Sequence, residues 1–543
     1  MSRIDHRFIE LCRNDGLIND MEAQLLGQQF RAGIDLEPLF LKGGFVTEER
    51  LYRKIAEFLA LRYVEPAELQ FQRELQELLP AELQLQLNFT PLSKGAGFIE
   101  VVAGSLDFEA IEQAVFKRLS YRTRIHLCAP AVMRNSLRRS FSNAEAAFAA
   151  EVQRLTKLQG KTGTFDQFST LLLRFAVAER ATDIHIAPFE GALQIYFRVD
   201  GVMRPVMALA PWFSRYISFL KVLSEMDISE QRMPQDGSFS VEINGVPYTI
   251  RVSTIVTGLG ERIAMRLLCE SSEVPDVVAL GYTQQAADLL NEVANQPNGL
   301  IVVTGPTGSG KSSTLHAMIK MTDLIGRNVL TVEDPVEYLL PLAGQTEVNK
   351  KAGYDFQRAL RHFLRHDPDV ILLGEMRDPE TAKAAVDAAA TGHLVLSTLH
   401  VTSTSGVPNR LVSMGLHPVS LAENLRCVIS QRLVRRLCPH CRRFELLPPD
   451  DCRRLGLEQG QGGRRVGCEQ CRGTGYLGRL PVYEILRVSP QIRNLVQAEA
   501  SADAIRDEMV RGGFATMHDC ARDQVLAGEV DADEVERVLG ARW

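Results

Sequence analysis

Leu300-Ile-Val-Val-Thr304 followed by Gly305-Pro-Thr-Gly-Ser-Gly310-Lys311-Ser312 decides the fold of this chain. The first part reads as a buried strand, and the second is a complete GxxxxGK[ST] loop opening a helix. Glycines let such a loop wrap so that its N–H groups and the helix N-terminus face phosphates. Lys311 then neutralises β/γ charge, and the Ser312 hydroxyl ligates Mg²⁺. Gly305, Pro306, Thr307, Gly308, Ser309, Gly310, Lys311, Ser312 and Ser313 are the expected nucleotide contacts. Around this loop, buried strands alternate with helices from Leu280-Gly281-Tyr282 onward, the pattern of a doubly wound α/β sheet with ligand loops at its strand ends.

Three further runs carry polar residues at their ends. Asn328 to Val332 leads into Glu333-Asp334-Pro335, two carboxylates leaving a strand where Mg²⁺ or a water can be held. The alternative is a pair of acidic residues that merely opens a loop. Val370 to Leu373 leads into Gly374-Glu375-Met376-Arg377-Asp378, which makes Glu375 the candidate for orienting an attacking water. His393 to Leu399 ends at His400, placed to hydrogen-bond a γ-phosphate or relay its loss.

Two CxxC pairs, Cys438/Cys441 and Cys468/Cys471, are separated by 26 residues, 442–467, as in a closed four-thiolate zinc site. His440 is an alternative to one thiolate. Arg435, Arg436, Arg442, Arg443, Arg464, Arg465 and Arg472 are placed to offset the excess charge of four thiolates on Zn²⁺. The other six of the ten cysteines read as buried thiols, too sparse in 543 residues for a disulfide scaffold.

A chain this long exceeds the size of one core, so several domains are expected. Apolar content of 45% and charged content of 24% exclude disordered, collagen-like and membrane-spanning classes. A net charge of −6 gives no global attraction to nucleic acid, and no aromatic-basic interleaving for base stacking is evident, so no nucleic-acid partner is expected. Met1 to Phe8, MSRIDHRF, lacks the apolar stretch of a signal peptide, which suggests a cytoplasmic protein.

Expected domains are residues 1–130, 131–164 as a helical linker closing on Gly160-Lys161-Thr162-Gly163, and 165–275 as a small α+β domain. The loop-bearing core follows at 276–427, then the tetracysteine segment at 428–490 and a helical tail at 491–543. Expected elements include a helix over Glu49 to Leu61 and a β-like run over Gly97 to Val102. In the α+β domain, strands are expected over Asp183 to Ile186, Leu193 to Val199, Phe239 to Ile243 and Tyr248 to Ser253. Turns at Asp200-Gly201, Asp236-Gly237 and Asn244-Gly245 separate them.

GPTGSGKS, TVEDPVEY, LRHDPDVILLGEMRD and TGHLVLSTLH stand here in one order with the tetracysteine segment. In these motifs the chain closely resembles the secretion ATPases of type II secretion and type IV pilus assembly, strongly from Phe165 to Trp543 and weakly before. The resemblance implies a multidomain α/β protein with a RecA-like P-loop ATPase core, a preceding α+β domain, and a mainly helical N-terminal domain that docks a partner. It further implies a homo-hexamer that hydrolyses Mg²⁺-ATP at the inner membrane, joined to a platform protein and a cytoplasmic-facing anchor protein. The family's boxes map onto Lys311, Glu333 with Asp334, Glu375, and His393 with His400. Arginines at the positions of Arg251, Arg266, Arg361 and Arg365 approach the phosphates in that family.

Competing readings are a nucleotide-dependent docking switch that hydrolyses too slowly to matter and a nucleic-acid translocase. The leading domain binds a membrane partner in some members and cyclic di-GMP in others; here Arg31-Ala32-Gly33 with Leu36 is only a distant echo of the latter motif. Ala187 and Tyr196 stand where the family usually has Glu and often has Arg. Val401-Thr402-Ser403 replaces its frequent Thr-Asn-Asp.

Overall fold

The computed structural model describes residues 4–540 except 33, 43, 70–72, 77, 142–143, 159–164, 245, 270–273, 341 and 350–351. The expected joint at Gly160 to Gly163 and Gly33 of the distant nucleotide-binding echo lie outside the described residues. Two units emerge, Met1–Ser271 and Ser272–Trp543.

The first unit opens with capped amphipathic helices. Asn19 and Glu22 form a reciprocal capping box at Asp20–Arg31, and Thr47 caps Glu48–Phe58, the helix expected over Glu49 to Leu61. With His6–Asn14 and Leu36–Lys42 they bury Phe8, Leu26, Phe40, Tyr52 and Ile55 against a three-stranded sheet of β1 (Phe89–Lys94), β2 (Phe98–Ala103) and β3 (Arg122–Leu127). Only β2 was foreseen; β1 carries Pro91, and β3 alternates charged and apolar residues too briefly to stand out. Leu36 is fully buried, so it belongs to this core and is not free for a ligand.

Farther along, the helix Asp166–Ala178 packs on a six-stranded antiparallel sheet. Its strands are β4 (Ala181–Phe189), β5 (Ala192–Val199), β6 (Val202–Leu209), β7 (Gln235–Ile243), β8 (Val246–Thr257) and β9 (Gly260–Cys269), in the order β6-β5-β4-β9-β8-β7. Asp200-Gly201 forms the expected tight turn, with φ of 49° and 83°. Asp236-Gly237, by contrast, lies inside β7. Its glycine is needed for close approach, because a Cβ at Gly237 would sit 2.2 Å from the Ser224 carbonyl oxygen.

The second unit is built on β10 (Gly299–Thr304), β11 (Val329–Glu333), β12 (Gly344–Glu347), β13 (Val370–Leu373), β14 (Leu394–Leu399) and β15 (Leu425–Leu437). Beyond these lie the ribbon β16 (Arg443–Leu446) and β17 (Gln461–Arg464), and then β18 (Tyr476–Arg487). The main sheet runs β12-β11-β13-β14-β10-β15-β18, parallel except where β18 returns antiparallel along β15. Strands β10, β13 and β14 are buried throughout, which explains why their sequences read as continuous apolar runs.

The expected border at 427/428 falls inside β15. The tetracysteine segment is therefore an excursion between two paired strands of the core sheet, with Leu437 opposite Tyr476 at its neck. The helical tail is fastened to the same neck. Arg435 donates to Glu534 from its main-chain N at 2.9 Å, Nε at 2.9 Å and Nη2 at 2.6 Å, and Arg537 donates from Nε at 2.8 Å and Nη2 at 2.6 Å. Burial pushes the Glu534 carboxyl up, but Arg537 and Arg435 outweigh it and hold its pKa below the ordinary value. Its stabilising contribution is thus present above the unfolded carboxyl pKa and is lost as pH falls through the depressed folded value. Glu534→Ala strands Arg435 inside the neck, and urea unfolding should show a loss of about 3–5 kcal/mol at pH 7. The deficit should shrink toward pH 3; an unchanged midpoint at pH 7 would count against this pairing.

Candidate nucleotide site and tetracysteine centre

β10, β11, β13 and β14 are parallel neighbours in register, so the residues that follow them leave the sheet along one edge. Lys311, Glu333-Asp334, Glu375 and His400 all follow these strands. The loop after β10 is shaped by left-handed backbone: Gly305 has φ 144° and Gly310 φ 86°. A Cβ at Gly305 would lie 2.4 Å from the Gln431 carbonyl oxygen, so no larger residue fits. The helix Lys311–Lys320 begins on Gly310 without a side-chain cap, whereas Thr283, Asp355 and Asp378 cap neighbouring helices. Its first N–H groups are left for an anion.

The Lys311 ammonium donates to the Gly305 and Pro306 carbonyls, each at 3.0 Å. Desolvation lowers its pKa, against the opposing fields of Glu375 and Glu337. That field couples the loop lysine to the carboxylate after β13. Glu375 is mostly shielded, ion-paired with Arg377 and 3.5 Å from His400 Nε2. The Arg377 pKa is raised by its hydrogen bond to Glu375, with Asp334 adding to the same field. Arg377 is a site residue beyond those expected from the sequence, and the two-residue period of extended chain puts it on the side of Glu375. Asp378 turns away to cap Pro379–Ala390, donating nothing and accepting from Thr381 N at 2.8 Å.

Glu333 and Asp334 divide their work. Glu333 is buried, 3.0 Å from His316 Nε2, and accepts from Thr331 Oγ1 at 2.7 Å and Gln345 Nε2 at 3.1 Å. Burial alone would depress His316, but Glu333 and the Ser312 carbonyl, 2.8 Å from Nδ1, leave its pKa raised. This pair braces the loop helix against β11, so Glu333 is turned inward and Asp334 is the exposed carboxylate. His316 carries no signal in the sequence, being a lone His on a buried helix face.

Three expected site residues are not brought to this edge. His393 precedes β14 at its opposite end, a strand length of about 20 Å from His400, and its Nδ1 lies 2.9 Å from the Ala388 carbonyl. Arg361 and Arg365 stand exposed at and beyond the end of Phe356–Phe363. That helix starts beside Gly374, where a Cβ would meet the Phe356 ring at 3.2 Å, and runs back toward the start of β13. Its direction carries both arginines away from the strand-end carboxylates, and Arg365 pairs with His362 at 2.6 Å.

Arg251 and Arg266 belong to the first unit, opposite each other on β8 and β9. Arg266 Nε donates to Asp183 Oδ1 at 3.1 Å, and Arg198 stands 3.6 Å from Oδ2. Among the described residues, this carboxylate is what Arg266 engages. Val401 leaves the loop after His400 intact, because the tie runs through its backbone: its N–H donates to Thr304 Oγ1 at 3.0 Å.

The four thiols of Cys438, Cys441, Cys468 and Cys471 lie within 4.8 Å of one another, with three sulfur pairs at 3.8–3.9 Å. Tetrahedral Zn–S bonds of about 2.3 Å require sulfurs about 3.8 Å apart, so the cage fits zinc with no position left open. His440 is not in the group. Five of the arginines expected to offset thiolate charge face carboxylates instead: Arg436 and Arg442 pair with Glu529, Arg465 faces Asp533, Arg464 faces Glu445, and Arg435 is committed to Glu534. Main-chain N–H groups donate to the sulfurs, Gly467 to Cys441 at 3.3 Å, Cys468 to Cys471 at 3.1 Å and Gly475 to Cys471 at 3.2 Å.

A family model described as Type II/IV secretion system protein matches residues 159–537. The chain is 42% identical over 369 residues to Type II secretion system protein E of Klebsiella pneumoniae, covering 68% of this chain and 74% of that protein. It is 36% identical over 528 residues to the type IV pilus assembly ATPase PilB of Thermus thermophilus, covering 94% of this chain and 59% of that one. Among solved structures, the Legionella pneumophila ATPase DotB superposes with a TM-score of 0.52 at 22% identity, over 68% of this chain and 94% of its own, a likeness of fold.

Proposed function

The chain belongs to the Type II/IV secretion system protein family, and on that premise we propose that it hydrolyses Mg²⁺-ATP to drive assembly of a pilus or pseudopilus. The observation that carries this reading is the parallel register that sets the loop of Lys311 and the carboxylate of Glu375 along one sheet edge, beside an uncapped helix N-terminus. Lys311 and the loop N–H groups bind the phosphates, and Glu375, held between Arg377 and His400, orients the water. The oxygen donors Ser312, Asp334 and Glu375 suit magnesium, which when bound would neutralise charge on the phosphates. The tetracysteine cage would hold zinc as a structural centre, since its four thiolates leave no open position.

The same reading places the chain in the cytoplasm as a homo-hexamer. There it would be held at the inner membrane by a platform protein and a cytoplasmic-facing anchor. No helix among the described residues is long and apolar enough to cross a membrane, in keeping with attachment through partners. The test is complementation of a deletion strain, scored by surface filaments and by secreted protein. Wild type should restore one or the other and Lys311→Ala neither. Full filament assembly and secretion with Lys311→Ala would refute a motor role.

A further inference from the structure

Gln431 lies in the middle of β15, 1% exposed, beside the phosphate loop. Its Oε1 accepts from Tyr282 Oη at 2.6 Å and Thr314 Oγ1 at 2.9 Å, and its Nε2 donates to the Ser309 carbonyl at 2.7 Å. The orientation of the amide is fixed chemically, because a carbonyl can only accept and so Nε2 must face it. A trans peptide places C=O and N–H on opposite sides. Drawing the Ser309 carbonyl toward β15 therefore turns the Gly310 N–H the other way, away from β15. The Gln431 carbonyl oxygen closes the other end of the loop against Gly305. One residue, outside the GxxxxGK[ST] motif, thus braces both ends of the loop.

We propose that Gln431 is a positioning residue for phosphate binding, which holds the Ser309–Gly310 peptide in its anion-binding orientation. The proposal rests on the ATP reading of the site. It places the effect of Gln431 on nucleotide affinity, since none of its contacts reaches Glu375, where water is oriented.

Gln431→Met keeps the length and removes every side-chain hydrogen bond, and Gln431→Glu keeps the acceptor but sets an oxygen against the Ser309 carbonyl. Both are compared with wild type and with Tyr483→Phe: Tyr483 lies opposite Gln431 on β18 and stacks on Tyr282, but its hydroxyl is bonded to Thr283 at 3.1 Å and not to the loop. ATP affinity is read by equilibrium titration, KM and kcat by phosphate release, and folding by Tm. Both Gln431 variants should raise Kd and KM about tenfold, with kcat of the folded protein within about threefold. Tyr483→Phe should lower Tm without moving Kd. Wild-type Kd in either folded Gln431 variant overturns the proposal, as does a Kd change in Tyr483→Phe equal to theirs. If Gln431→Met does not fold, Gln431→Glu carries the same comparison. A wild-type chain that binds no ATP would instead sink the ATPase reading itself.

Discussion

Glu375→Gln should lower steady-state ATP turnover by about 10²–10⁴-fold, the range of a lost general base or water-orienting carboxylate. ATP should still bind, because the groups proposed to meet the phosphates, Lys311 and the loop amides, are untouched. Gln is close in shape and keeps a hydrogen-bonding oxygen, yet it cannot draw a proton from water. The ion pair with Arg377 and the 3.5 Å approach of His400 both depend on the carboxylate, so the variant also frees those two groups. Lys311→Ala should differ in kind: it removes charge from the phosphate cradle and should weaken binding as well as turnover. Phosphate release and nucleotide binding measured side by side separate the two variants. Wild-type turnover in Glu375→Gln would remove Glu375 from the chemistry and leave Asp334 as the candidate.

Removal of metal should have the second large effect. Structural zinc contributes about 10–16 kcal/mol in zinc-finger peptides, and here the cage closes an excursion whose neck is a pair of core strands. Chelation should release one zinc per chain and open residues 438–471 to protease. β15 and β18 should stay paired, because Arg435, Glu534 and Tyr476 hold them from outside the cage. Cys468→Ser should reproduce the proteolytic pattern without chelator. A chain that holds no zinc yet resists protease over that segment would contradict the ligand assignment.

The motifs were legible because each is local. A P-loop needs its glycines, lysine and serine in one stretch, and two CxxC pairs announce a thiolate cage from spacing alone. The strand ends holding Glu333-Asp334, Glu375 and His400 were readable for the same reason, since buried parallel strands are continuous apolar runs. Other features carry no local mark. Gln431 lies more than a hundred residues from the loop it braces, and His316 is one polar residue on a buried helix. The arginines around the cysteines suggested charge neutralisation by proximity in sequence, but the carboxylates that claim Arg435, Arg436, Arg442 and Arg465 lie in the tail, at Glu534, Glu529 and Asp533.

Sequence by itself determined the kind of chemistry: a phosphate loop, carboxylates behind buried strands and a closed thiolate cage are each specified within a few residues. Tertiary structure alone decided which of the candidates meet. Parallel register brings Lys311, Asp334, Glu375 and His400 to one edge, while strand length and helix direction carry His393, Arg361 and Arg365 to the other. The reason is physical: residue type and local spacing fix what a group can do, but a side chain's neighbours are set by strand order, which no short stretch of sequence contains.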